Sequence, residues 1–166
     1  RSAQKHSIYT KVLADKGELL SHEDKDTTVL SQMKLKYLIE KNYPKVEMND
    51  LIALRMNEIV QSHKNICAVT DELGDFKGVI YVEELFNELM QNENKDLLIA
   101  SHLVQQAPNT INESDDLKSV LKKMEQENAW ILPVINNENQ YKGFVSKTAI
   151  FNKYRALLMR QNDYMG

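Results

Sequence analysis

The sequence predicts an α+β fold assembled from two copies of one strand-helix-hairpin-helix unit that share a core, and three observations carry that prediction. Residues 46–89 and 111–154 superpose without a gap at an offset of 65 positions, with Ile66, Val69, Lys77, Gly78, Phe86 and Asn87 repeated as Ile131, Val134, Lys142, Gly143, Phe151 and Asn152, and Asp50 repeated as Asp115. Helical apolar stripes precede short apolar runs of strand length in both copies. A turn-rich loop then separates each run from a return strand. A unit this small cannot bury its own apolar face and needs its duplicate.

Taken in order, a charged lead-in over 1–27 precedes a short helix expected from Thr28 to Leu38. In the first copy, Ile52, Met56, Ile59 and Val60 form the helical stripe, with Arg55 expected at a more exposed edge. The strand Ile66 to Thr70, the loop Asp71-Glu72-Leu73-Gly74-Asp75, the return strand Phe76 to Tyr81 and a closing helix from Glu83 to Met90 follow. A polar linker, Gln91 to Asp96, contains no apolar residue. The second copy repeats the pattern. Ser114 or Asp115 is expected to cap a helix bearing Leu117, Val120, Leu121 and Met124 at i, i+3, i+4 and i+7. Then come the strand Trp130 to Ile135, the loop Asn136-Asn137-Glu138-Asn139-Gln140, the strand Tyr141 to Ser146 and a final helix from Thr148 to about Arg160. Gly78 and Gly143 sit where another backbone or a ligand must come close. The boundaries are therefore 1–27 lead-in, 28–90 first unit, 91–96 linker, 97–160 second unit and 161–166 tail.

Composition narrows the class. The 166 residues are 42% hydrophobic and 27% charged, near globular averages. The 21 basic and 24 acidic side chains are interleaved and give a net charge of −3, which excludes the basic stripe of a nucleic-acid surface. The single cysteine, Cys67, lies in an apolar run and is read as a buried small hydrophobe, in a reducing compartment. The four histidines share no ligand-like spacing, so no metal site is expected. The longest aliphatic stretch, Leu97 to Ala100, falls far short of the ~20 residues of a membrane helix, and no signal peptide opens the chain. Because the chain begins with Arg1, it is expected to be a piece or a processed product of something longer. Phosphate loops, nucleophile elbows and His-Glu-x-x-His are all missing, so the chain is not expected to be an enzyme.

The apolar-x-Val strand, turn, Lys-Gly-apolar-apolar strand and closing helix resemble the CBS motif pair, or Bateman module, over residues 28–160. Ile131-Leu132-Pro133-Val134 followed by Tyr141-Lys142-Gly143-Phe144-Val145-Ser146 is the strongest patch. The resemblance implies two motifs packed through their sheets about a pseudo-twofold axis, with clefts that hold adenosine nucleotides. Two stretches are also similar to the cytoplasmic region of prokaryotic ClC chloride channels and transporters. They are the lead-in Ser7 to His22 and Ala129-Trp130-x-Leu132-Pro133-Val134. That likeness implies a regulatory and dimerisation module at the cytoplasmic face of the cell membrane, joined to a membrane transport domain of the same polypeptide and homodimeric. The interleaved charges and short apolar runs lead to the further expectation of no nucleic-acid partner and no membrane insertion by this segment. The final helix, with Tyr154, Leu157 and Leu158 continuing past the point where the first copy ends, is the candidate for part of the contact between copies. Other parents are a free-standing nucleotide sensor, a metal-ion transporter or a nucleotide-synthesising enzyme.

Nucleotide-holding members of the family show Gly-x-x-(Ser/Thr)-x-x-Asp at the hairpin's end, where a helix N-terminus offers free N–H groups to an anion. This sequence keeps half in each copy. Gly143 and Ser146 are followed by Ala149 in place of the acid, while Gly78 and Glu84 flank Tyr81 in place of the hydroxyl. The candidate ligand contacts are thus Tyr81, Glu84, Ser146 and Lys147, for ATP, ADP or AMP held weakly. Three of them have a structural alternative: Ser146 as a helix cap, Glu84 as a helix-start charge and Tyr81, like Trp130, as a packing aromatic. Lys77 and Lys142 are read as partners of the turn acids.

Overall fold

The computed structural model describes residues 28–165, with side chains to Asn162. The elements follow the 65-residue repeat. Strand β1 (Lys45–Glu47), helix α1 (Ile52–Ser62), strands β2 (Ile66–Thr70) and β3 (Phe76–Tyr81) and helix α2 (Val82–Gln91) make the first copy. Strand β4 (Ile111–Asn112), helix α3 (Leu117–Glu127), strands β5 (Ile131–Ile135) and β6 (Tyr141–Ser146) and helix α4 (Lys147–Met165) make the second. The repeat also reaches further upstream than the sequence comparison did: a 3-10 turn at Leu35–Tyr37 has its counterpart at Ala100–His102.

The chain divides into two compact units. The sheet unit comprises Ile39–Ser114 and Leu132–Val145. It contains two three-stranded sheets, ordered β1-β2-β3 and β4-β5-β6, each with its first pair parallel. Val46 pairs with Val69 and Ile111 with Val134, so the registers themselves obey the offset. In the first copy, Val46, Ile52, Ile59, Cys67, Val69, Ile80, Val82, Leu85 and Ala100 form one buried cluster. Burying a branched side chain such as Ile52 or Ile59 contributes roughly 1.5–3 kcal/mol. Burial also pushes the Cys67 thiol up to about 12, with Glu58 adding to the shift, which leaves it an inert hydrophobe.

The free edge of each hairpin is covered by a residue from outside its own hairpin. Gln105 exchanges both backbone bonds with Val79 (2.9 and 2.8 Å), and Glu40 does the same with Phe144 (2.7 and 3.0 Å). Glu40 and Gln105 are themselves 65 positions apart, as are Val79 and Phe144. The segment ahead of the first copy thus edges the second hairpin, and the segment ahead of the second copy edges the first. Gly78 and Gly143 make this approach feasible: an added Cβ would stand 2.3 Å from the Gln105 carbonyl oxygen and 2.6 Å from that of Glu40. The hairpin tips join as well, with Phe76 N–H donating to the Asn139 carbonyl at 2.8 Å and Tyr141 N–H to that of Gly74 at 3.1 Å. The Phe76 and Tyr141 rings stack at 6.3 Å.

The other unit holds the described residues up to Leu38, Asp115–Ile131 and the described residues from Ser146 onward. Helix α3 buries the expected stripe of Leu117, Val120, Leu121 and Met124. Its cap is Asp116, one residue later than expected: Oδ1 accepts the Ser119 N–H at 2.7 Å. The cap must immediately precede the first helical residue, Leu117, to reach the third N–H, and from that place Asp115 instead pairs with Lys123 at 3.3 Å. The short helix expected over Thr28 to Leu38 is two pieces, a helical turn over 28–32 and the 3-10 turn Leu35–Tyr37. In the sheet unit, Val60 lies at the margin of its stripe and is half exposed, not buried. Arg55, at the expected open edge, pairs with Glu58 at 2.9 Å and donates to the Lys45 carbonyl at 3.0 Å.

Candidate functional site

Each hairpin delivers its last residue to a helix N-terminus, and there the two copies diverge. Tyr81 and Glu84 stand at the start of α2; Ser146 and Lys147 stand at the start of α4. Tyr81 corresponds to Ser146 across the offset, so the four candidates form two local pairs, one in each unit.

At α2, no side chain caps the helix. Glu83 and Glu84 occupy its first turn, where negative charge is favoured by the exposed N–H groups. Glu84 is exposed and accepts a hydrogen bond from the Gln105 Nε2 group. Partial burial, reinforced by the Glu84 carboxylate, raises the Tyr81 phenol above its ordinary range, so it stays a neutral donor. A phenol donor beside a carboxylate acceptor is suited to hydroxyls such as a diol.

At α4, the groups are committed within the protein. Ser146 Oγ accepts the Ala149 N–H at 3.1 Å, as the capping alternative requires. Lys147 is buried, with its N–H bonded to the Trp130 carbonyl at 2.8 Å. Its ammonium lies 3.7 Å from Glu125 and 5.0 Å above the Trp130 ring. A cation at a helix N-terminus opposes the helix dipole, and the Glu125 carboxylate and the indole face offset that cost. The indole itself remains half exposed. Of the repeated lysines, Lys77 meets the turn acid Asp71 at 3.8 Å. Among the described residues Lys142 forms no such pair, because Asn136 replaces that acid.

The residues that sequence reasoning passed over are Gln105, Glu125 and Glu40. Glu125 lies on the polar side of its helix, and nothing in the spacing ties it to Lys147. Gln105 and Glu40 had a signal: Leu38 and Leu103 are identical and Ile39 and Val104 both apolar at the same offset.

The profile of the CBS-domain family matches residues 100–156. A CBS domain is present. No curated protein sequence matches the chain. Among solved structures, a CBS-domain pair/ACT-domain protein from Thermotoga maritima is similar at 24% identity and a TM-score of 0.59, covering 78% of this chain and 98% of its own. CbpB in complex with c-di-AMP is 15% identical with a TM-score of 0.70, covering 87% and 99%. The cytosolic domain of the Mg2+ channel MgtE in complex with ATP is 15% identical with a TM-score of 0.59, covering 77% of this chain and 52% of its own. The fold is that of CBS pairs: mixed α+β, with two sheets and helices. No described helix is long and apolar enough to cross a membrane.

Proposed function

We propose that this CBS pair is a non-enzymatic regulatory and dimerisation module on the cytoplasmic side of a ClC-type chloride channel or chloride/proton antiporter, with weak adenosine-nucleotide binding at most. The observation that carries the regulatory reading is the split ligand motif. Ser146 and Lys147 are engaged by their own helix and by Glu125 and Trp130, whereas at α2 the exposed Glu84, which accepts from Gln105, stands near a half-buried Tyr81. The ClC parentage rests on Ala129-Trp130-x-Leu132-Pro133-Val134 and on the lead-in Ser7 to His22, which lies outside the described residues. A metal-ion transporter is the rival parent, favoured by the likeness to the MgtE cytosolic domain. The coding sequence upstream of Arg1 decides between them. Ten or more hydrophobic helices of the chloride-transporter type are expected there, and an initiator Met a few residues away rejects both parents.

Ligand binding is tested by thermal melts and calorimetry with ATP, ADP, AMP and c-di-AMP. A ligand at one hundred times its Kd stabilises the folded state by ~2.7 kcal/mol. Loss of one charged hydrogen-bonding group weakens a site roughly ten- to hundredfold. The expected result is a melting shift only near millimolar nucleotide, abolished by Glu84→Gln and retained in Ser146→Ala. Tight binding at low micromolar ligand overturns the weak half-site, and a flat response at millimolar ligand removes nucleotide binding from the proposal.

A further inference from the structure

The carboxylate of Glu84 is held by a side chain from the segment that leads into the second copy. Gln105 exchanges both backbone bonds with Val79, and its carbonyl oxygen lies 2.3 Å from where a Cβ on Gly78 would stand. The preceding Leu103 and Val104 pack against the buried cluster of the first copy. The backbone of Gln105 is thus held by two hydrogen bonds, a close contact and the core, whereas the residue is exposed and its side chain can turn without moving that backbone. From this anchored position the carboxamide reaches the start of α2, where Nε2 donates to Glu84 Oε2. An ionised carboxylate is acceptor-only, and a vicinal diol satisfies it by donating one hydroxyl to each oxygen. One of the two oxygens is already covered by the amide.

The second copy has no counterpart of this pair. At the 65-residue offset Gln105 becomes Glu40 and Glu84 becomes Ala149, so an amide and an acid are replaced by an acid and a methyl group. Glu40 edges its hairpin through the same two backbone bonds, yet its Oε2 is buried with no hydrogen-bond partner. Bridging a hairpin edge therefore needs only the backbone. The side-chain bond from Gln105 to Glu84 is an addition particular to the first copy, and it falls on the one candidate carboxylate of the split ligand motif.

We infer that the Gln105 carboxamide is a latch on the first copy's half-site, which a diol-bearing ligand must displace before both oxygens of Glu84 can accept from it. The inference deepens the proposed nucleotide binding and rests on it. A latch lowers apparent affinity in proportion to the fraction of molecules in which it is open. A site open in roughly one-tenth to one-third of molecules binds about three- to tenfold more weakly than its unlatched form. The coupling is reciprocal: ligand at Glu84 releases the carboxamide to the same extent that the carboxamide opposes ligand. Because Gln105 stands on the segment ahead of the second copy, its release carries occupancy of the first half-site to a residue outside the first hairpin.

The test is titration of the full chain with adenosine, which carries the ribose diol and no phosphate, followed by calorimetry and by the side-chain amide resonances of Gln105. The same titration is run on Gln105→Ala and on Gln105→Met, which keeps the length of the side chain without its donor, with thermal melts to check that each is folded. Both variants should bind adenosine about three- to tenfold more tightly than the unaltered chain. Gln105→Lys, whose ammonium pairs with Glu84, should bind more weakly. Adding Glu84→Ala to each protein should abolish binding and erase the differences. In the unaltered chain, adenosine should move the Gln105 amide resonances toward the position they take in ligand-free Glu84→Ala protein. If the unaltered chain binds adenosine and the Ala and Met variants bind it equally or less well, Gln105 is a bystander or a ligand contact; the latch is overturned and the half-site stands. If none of the proteins responds to millimolar adenosine, the half-site is removed and the latch with it.

Discussion

The hydroxyl of Ser146 has two chemistries open to it in sequence, and the folded chain shows the capping one. A Ser at the end of a hairpin followed by a helix serves equally to cap that helix or to hold a ligand, and the spacing Gly-x-x-Ser is the same for both. The bond from the Ala149 N–H at 3.1 Å is the one a cap makes. Ser146→Ala is therefore expected to lower stability by about 1 kcal/mol, within the 0.5–2 kcal/mol range for lost N-caps, in urea unfolding. Equal stability of the two proteins would mean that the cap contributes nothing. The neighbouring lesson comes from Asp116. Three polar residues, Ser114, Asp115 and Asp116, precede that helix, and a difference of one residue in its start decides which one caps it. The Ser119 N–H holds the Asp116 carboxyl below its usual range. A depressed carboxyl stabilises the fold above its unfolded value of ~3.9, and that contribution is lost as pH falls through the lower folded value.

At the scale of elements, the repeat was legible because apolar periodicity survives in both copies. Helices α1 and α3, strands β2 and β5, and strands β3 and β6 all fall at the expected offset. The edge exchange was legible only in outline: Leu38 with Leu103 and Ile39 with Val104 repeat at the offset, but a single bridging residue such as Gln105 does not tell which hairpin it edges. What the sequence did carry was its consequence, a glycine in each return strand. Gly78 and Gly143 have φ of +150° and +137°, and an added Cβ also meets Val104 Cγ2 or Ile39 Cγ2 at 2.7 Å. Gly74 separates the two possible costs: its φ is +88°, but nothing lies within 4 Å of an added Cβ. Gly74→Ala is expected to lose ~1–2 kcal/mol from the unfavourable φ alone. Gly78→Ala and Gly143→Ala add backbone displacement to that strain and are expected to lose ~3 kcal/mol or more in denaturant unfolding. If all three variants lose the same amount, the close approach of Gln105 and Glu40 carries no energetic weight.

For the molecule as a whole, the edge exchange means that neither copy is complete in its own sequence. The first copy takes Gln105 against β3, and it takes the Leu98 carbonyl for the Ile52 N–H at 2.9 Å. It also receives N–H groups from Ala100 and Ser101 at the Asp50 and Met48 carbonyls, at 3.0 and 2.8 Å. Ala100 belongs to its buried cluster, with Leu103 and Val104 packed against it. All of these residues follow the polar stretch after α2. A fragment ending at residue 92 would therefore expose part of that cluster and strip the edge from β3, at a length where one core is already marginal. Fragments 1–92 and 93–166 are each expected to lack fixed tertiary structure alone, with weak near-ultraviolet dichroism and poorly dispersed amide spectra. Mixed, they should recover the dispersion of the intact chain, because the exchange requires proximity but no covalent link between α2 and the turn at Ala100. A cooperatively folded 1–92 fragment would show that the first copy is self-sufficient, and the exchange at Gly78 would then be an accessory to the fold, not a condition of it.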